Sequence, residues 1–273
     1  IYLQYATIHI DRKEIMSKGI DDIDNSWFVD EQFDFGKEPV VQTSFTKPYT
    51  FNQRKVNNKA DITFIGDSVI DCKAYTGTGK GTVEYFAEYH ANPTYMARIN
   101  DQSVDGFTIY DCIDNVSKVV GDVVVISAGG NDLLDKINLL TVSDDNNMTM
   151  GLMNTELDKL MYAYETMLHQ LRKSKRYFLL LTCYDGNLAF NPQRFDGVDN
   201  VAHSIVSMWN DRLYRLANDY QNRHDNIGQT FDVLDLRNFM GTTCYYNEIE
   251  PNKQGAKRIA KNISKRLQHR GVL

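Results

Sequence analysis

Three short runs carry residue types suited to acyl transfer. "FIGDSVID" (64–71) places Ser68 directly after Gly66 and Asp67. "SVDGFT" supplies Gly106, and "SAGGNDLLD" supplies Gly130, Asn131 and Asp132. A serine hydroxyl becomes a nucleophile when a neighbouring base takes its proton. The Ser68 N–H, the Gly106 N–H and the Asn131 side-chain NH₂ are donors of the kind that hold a developing oxyanion. Losing one such donor typically costs ~10²–10³ in rate. The competing reading of Ser68 is structural, because serine also favours helix starts. The three runs form one site only if the fold brings them together, and none of them contains a base.

The elements between these runs show how they could meet. "DITFIG" (61–66), "TYMARI" (94–99), "DVVVIS" (122–127), "RYFLLLT" (176–182) and "TFDVLDL" (230–236) have strand length. Most are continuously apolar, as expected of strands covered on both faces. Helical stretches alternate with them, at 81–90, 109–120, 154–174, 201–223 and 253–267. In the third, Leu157, Leu160, Met161, Tyr164, Met167, Leu168 and Leu171 make an apolar stripe. Strands alternating with helices predict a parallel five-stranded sheet between helical layers. All three candidate runs then lie at or just beyond carboxyl ends of strands, where such sheets place their functional loops.

Residues 1–60 read differently. They are rich in aromatic and polar residues but hold no sustained period, so they are expected to form an extended arm before a single domain at 61–273. Trp27, Phe28, Phe33, Phe35, Tyr49 and Phe51 suggest that the arm is pinned to a surface, its own or that of a protein partner.

Composition narrows the function classes. The chain has 273 residues, 42% hydrophobic and 24% charged, with a net charge of −6. That charge argues against nucleic acid as the main partner, because phosphate binding needs a basic face. The basic "KRIAKNISKRLQHR" reads as a solvated helix face. No run approaches the ~18 apolar residues of a membrane span. The four cysteines are widely spaced, which gives neither a zinc site nor a disulfide framework and slightly favours an intracellular or organellar location. No metal or cofactor is expected. The start at Ile1, without a leader-like run, reads as a processed or trimmed end.

Two further features need weighing. "TGTGKGT" (76–82) imitates a phosphate-binding loop, but Ala74 stands where the first glycine should be and Gly81 follows Lys80, so no cradle forms. The six histidines lie in the arm or on helices and their ends. His203, after the "FNPQRFDGVDN" loop, is the best placed of them to reach a crevice. Asp185 and Asn187, after the fourth strand, read equally well as pocket lining and as turn residues.

Taken in order, "IGDSVID…DG…GGND…IEPNKQG" resembles the SGNH/GDSL hydrolases across roughly 61–268. The resemblance implies a flavodoxin-like α/β/α sandwich that hydrolyses acyl or acetyl esters of small substrates. It implies Ser68 as nucleophile, Ser68, Gly106 and Asn131 as oxyanion donors, and Asp67 and Asp132 as acceptors that fix the loops. The closing block departs from the family pattern of Asp-x-x-His. Here Asn247 stands in the Asp position and Glu250 in the His position, while Pro251 and Gly255 keep the frame. The "IEP" run, following "LDLR" at 234–237, is similar to that of a bacterial branch of the family. A carboxylate near pKa 4.3 is about two units, or ~3 kcal/mol, weaker as a base than imidazole, and burial narrows the gap. Two readings therefore stand. Glu250 serves as the base of an ester hydrolase, or the site has decayed and the domain is an accessory subunit of a larger assembly.

Overall fold

The computed structural model describes residues 61–90, 98–142, 150–172, 177–187, 199–223 and 228–273. The expected arm lies outside the described residues. Five strands form one parallel sheet: β1 (Asp61–Gly66), β2 (Arg98–Ser103), β3 (Val123–Ser127), β4 (Tyr177–Leu181) and β5 (Thr230–Leu234). Their spatial order is β2-β1-β3-β4-β5, so the chain reverses direction across the sheet between β1 and β3. Among the described residues six α-helices accompany them: α1 (Thr82–Tyr89), α2 (Ile109–Asn115), α3 (Gly130–Val142), α4 (Met150–Leu171), α5 (Asp199–Asn222) and α6 (Lys253–His269).

The pleat sorts each strand's side chains into two cores. Ile62 and Phe64 of β1, Val123 and Val125 of β3, and Leu179 and Leu181 of β4 face α1 and α6. Ile65, Val124, Ile126, Phe178 and Leu180 face α2 to α5, whose buried anchors include Leu157, Tyr164 and Trp209. Alternate residues of one apolar run thus enter opposite layers, which is the physical reason these strands are apolar throughout. The architecture is a three-layer α/β/α sandwich.

Two elements differ from the sequence expectation. The second strand is described over Arg98–Ser103, reaching four residues beyond the expected 94–99, of which 94–97 lie outside the described residues. It is one of the two edge strands among the described residues, pairing on one side only, so its run "RINDQS" can be polar where the central strands cannot. The helix α3 was not expected at all. It starts inside the "GGND" run, whose glycines oppose a helix reading from sequence. No helix among the described residues is long and apolar enough to cross a membrane.

Candidate active site

Strand β1 ends at Gly66, where the chain passes so close to β3 that a Cβ would overlap the Ser127 carbonyl. The backbone there has φ +151°, a conformation open to glycine and costly for other residues. The next residue, Asp67, is 2% exposed and organises the turn. Its carboxylate accepts from the Ser127 hydroxyl at 2.7 Å and from the Val69 N–H at 3.1 Å. Its carbonyl accepts the N–H groups of Ile70 and Asp71, both at 3.0 Å. The amides of residues 69–71 are thereby turned onto Asp67, and the Ser68 amide is left out of that set. Burial pushes the Asp67 carboxyl up to about 6, against the opposing pull of Ser127. Ser68 caps no described helix, since the nearest helical turn begins at Lys73.

The other two runs come to the same end of the sheet. Val104 to Phe107 form a turn closed by the Phe107 N–H on the Val104 carbonyl at 3.1 Å, with Gly106 at φ +85° as a type II turn requires. Asn131, in the first turn of α3, donates from Nδ2 to the Phe107 carbonyl at 2.9 Å. That bond uses one of its two N–H groups and ties the Asn131 side chain to the residue after Gly106. Asp132 accepts the Ile109 N–H at 3.0 Å, fastening the start of α2, and burial raises its pKa.

Glu250 enters from the last loop. It shares one pocket with Asp67, Ser68 and Asn131 and is 8% exposed. Burial lifts its carboxyl to about 7, while the nearby Ser68 side chain pulls the other way. Its Oε2 is buried without a partner, and no lysine or arginine pairs with it among the described residues. Asn247 does not touch the Glu250 carboxylate. Its Oδ1 accepts the Ile249 N–H at 3.0 Å and the Glu250 N–H at 2.7 Å, so it shapes the backbone that presents Glu250.

The loop after β4 holds this segment from outside. The Tyr184 hydroxyl donates to the Ile249 carbonyl at 2.7 Å, and the Asn187 N–H to the Glu248 carbonyl at 2.6 Å. Fully buried Asn210 of α5 braces that loop in turn, bonding both the N–H and the carbonyl of Cys183. Sequence reading missed Tyr184 and Asn210. The available signal was an asparagine within the apolar face formed by Ile205, Trp209 and Leu213.

The pocket beside Ser68 has a volume of ≈ 70 Å³. Leu133 and Ile137 of α3 and Ala202 and Val206 of α5 form its apolar wall. Asp185 lines it too and pairs with His203 Nδ1 at 3.1 Å. His203 is not among the lining residues, and neither is Gly106, which sits in the adjoining turn.

With this geometry in view, comparison with solved structures is informative. An acetyl xylan esterase, AlAXEase, superposes with a TM-score of 0.52 at 18% identity, covering 76% of this chain and 99% of its own. A member of the lipolytic protein G-D-S-L family from Veillonella parvula gives 0.51 at 16%, covering 75% and 96%. A catalytic mutant of Axe2, an acetylxylan esterase from Geobacillus stearothermophilus, gives 0.55 at 16%, covering 80% and 96%. The fold is that of the G-D-S-L esterases. No protein-family model matches the sequence, and no curated protein does. Identities this low carry the architecture and leave the chemistry to this chain's own residues.

Proposed function

We propose that the chain is an SGNH/GDSL-type serine ester hydrolase acting on a short acyl ester, with Ser68 as nucleophile and Glu250 as general base. The carrying observation is a buried carboxylate, raised to about 7, that lines the same small pocket as Ser68 and is free of any cationic partner among the described residues. An ordinary glutamate would be too weak a base. This one titrates close to the 6.5 of an unperturbed histidine, within the range where acid–base catalysis near neutral pH is efficient. Imidazole needs a partner to fix its tautomer, whereas a carboxylate needs none. That difference accounts for Asn247 serving the backbone instead of the base.

The steps follow from these roles. Glu250 takes the Ser68 proton as Oγ attacks the ester carbonyl. The oxyanion is held by the Ser68 N–H, the Gly106 N–H and the second Asn131 N–H, with the turn at Gly106 closing on the substrate. Collapse breaks the C–O bond, and Glu250 returns the proton to the departing alkoxide. Water, deprotonated by Glu250, then attacks the acyl-serine, the acyl–Oγ bond breaks to release the acid, and Glu250 returns that proton to Ser68 Oγ. The ≈ 70 Å³ apolar pocket suits an acyl group of a few carbons. Structural neighbours named as acetyl xylan esterases are consistent with an acetyl ester.

The absent histidine favours a second reading, a catalytically silent domain serving a larger assembly. One neighbour is a catalytic mutant in which histidine is replaced, and here no histidine among the described residues lines the pocket. Two measurements decide between the readings, p-nitrophenyl acetate turnover and fluorophosphonate labelling of the folded protein. The hydrolase reading expects both, with labelling at Ser68 and loss of both in Ser68→Ala. Folded protein that neither labels nor turns over leaves the silent domain.

A further inference from the structure

A second concavity lies beside the Glu250 loop and takes no part in the chemistry above. It is a shallow groove of ≈ 620 Å³. One side is aromatic: Tyr75, Tyr89 and Tyr246, the last two 47% and 59% exposed. The Tyr75 and Tyr246 rings lie 5.8 Å apart, tilted by 41°. The opposite side is the start of α6, which contributes Lys253, Lys257, Arg258 and Lys261. Lys253, Lys257 and Lys261 recur every fourth residue, so they form one line along the helix. None of the four makes a salt bridge among the described residues. Glu88, whose carboxyl feels Lys257, is already paired with Lys80 at 2.5 Å. Lys257 lies over the Tyr85 ring at 5.3 Å and Arg258 donates to the Phe239 carbonyl at 3.1 Å, but a line of cations without salt bridges beside exposed tyrosines is unexpected on a chain of net charge −6.

The groove abuts the site. The Tyr246 N–H donates to the Glu250 carbonyl at 2.7 Å, and the Tyr75 hydroxyl to Asp105 at 2.5 Å, beside the turn that carries Gly106. The groove and the site thus share the loops that carry Tyr246 with Glu250 and Asp105 with Gly106.

We infer that this groove binds the polymeric part of the substrate, and that this polymer is an acidic glycan carrying the acyl ester on a sugar hydroxyl. Three features select it. Sugar rings present apolar faces that pack on tyrosine while the phenol keeps a hydrogen-bonding edge. Carboxylates along the glycan match the lysine line. Sugar hydroxyls also bear O-acyl esters, which the phosphodiester backbone of nucleic acid does not. Asp105 and Glu250 make the pocket end acidic, so the acylated sugar that enters it is the uncharged end of the bound stretch. The inference rests on the ester-hydrolase reading for its acyl group, but the groove can be tested alone.

The test uses a fluorescent oligogalacturonide, a neutral xylo-oligosaccharide of equal length and an inorganic polyphosphate, measured by anisotropy with the full chain. The oligogalacturonide should bind more tightly than the xylo-oligosaccharide and weaken with salt. Lys257→Glu combined with Lys261→Glu should loosen it about tenfold, from four units of charge change near a partly screened surface. Tyr89→Ala should weaken it several-fold, and p-nitrophenyl acetate turnover should be unchanged in the lysine variant. Equal binding by wild type and lysine variant overturns the inference. So does polyphosphate binding as tightly as the glycan with no dependence on Tyr89. If p-nitrophenyl acetate is not hydrolysed by wild type while lysine-dependent glycan binding persists, the hydrolase reading has failed and the groove stands as a glycan-binding surface.

Discussion

The first and last loops of the site are fastened in different ways. The Ser68 turn curls on its own residues, with Asp67 accepting from Val69, Ile70 and Asp71, and is anchored by Ser127, which bonds the Asp67 carboxylate and N–H, and by Thr82, which bonds the Val69 and Ile70 carbonyls. The Glu250 loop sets its own backbone through Asn247 but takes its place from residues more than sixty positions away in sequence, Tyr184 and Asn187. A locally bonded turn writes itself into a short motif. A loop positioned by distant groups does not, and its chemistry depends on burial that only the tertiary structure creates. The comparison therefore predicts that the nucleophile's geometry resists remote substitutions, while the strength of the base yields to them.

The strongest challenge removes the base itself. Glu250→Gln should lower kcat ~10²–10⁴-fold, the usual contribution of a general base, with the fold intact by circular dichroism. In the wild type, kcat/KM should rise with pH through about 7, because the base must be deprotonated. Stability runs the other way. Glu250 binds its proton more tightly folded, at about 7, than unfolded, near 4.3. Its contribution is complete below the unfolded pKa and is lost as pH rises through the folded one. Glu250→Gln should thus raise stability above about pH 8, by up to ~3 kcal/mol, and change it little near pH 4. Asp67, pushed up to about 6, keeps its own falling slope in that variant, so urea titrations across pH separate the two groups.

Gly66→Ala attacks the other loop. The Cβ meets the Ser127 backbone and not a flexible side chain, so β1 and β3 must part. A loss of about 3 kcal/mol is expected, at the upper end of overpacking costs, read as a lowered urea midpoint. A midpoint equal to wild type would show that the strand contact is less tight than described.

Asn131→Ala should cost ~10²–10³ in kcat with little change in the midpoint, since its one structural bond reaches a loop carbonyl. Loss of stability without loss of rate would assign Asn131 to the loop and not to the oxyanion.

Tyr184→Phe gives the smallest effect and the sharpest comparison. It removes one hydrogen bond to the Ile249 carbonyl, worth about 1 kcal/mol. Its signature is a shift in the pH midpoint of kcat/KM, because a looser loop admits water to Glu250 and lowers its pKa. An unchanged midpoint would mean that Glu250 is buried independently of the latch.

How far the sequence foretold this arrangement follows the same division. The central strands, the long helices and the three blocks around Ser68, Gly106 and Asn131 were readable because their signals are local. The polar end of the second strand, Asn100–Ser103, went unread because an edge position relaxes the apolar requirement on which strand reading depends. Helix α3 escaped because Gly129 and Gly130 stand at its start, where propensity points away from helix. Asp185 was left balanced between pocket and turn, and it lines the pocket while pairing with His203. For Glu250 the residue and its place were legible, but its raised pKa was not, being a property of the wall around it.

The two bonds that Asn247 accepts from the backbone also bear on how this site could be rebuilt. A solitary Glu250→His exchange would install a ring whose neighbour in the chain is already fully engaged with main-chain amides. The new imidazole would have no acceptor there to settle which nitrogen carries hydrogen. An imidazole oriented as in the Asp-x-x-His pattern would therefore need positions 247 and 250 replaced together, because the loop backbone already occupies the side chain placed to orient it.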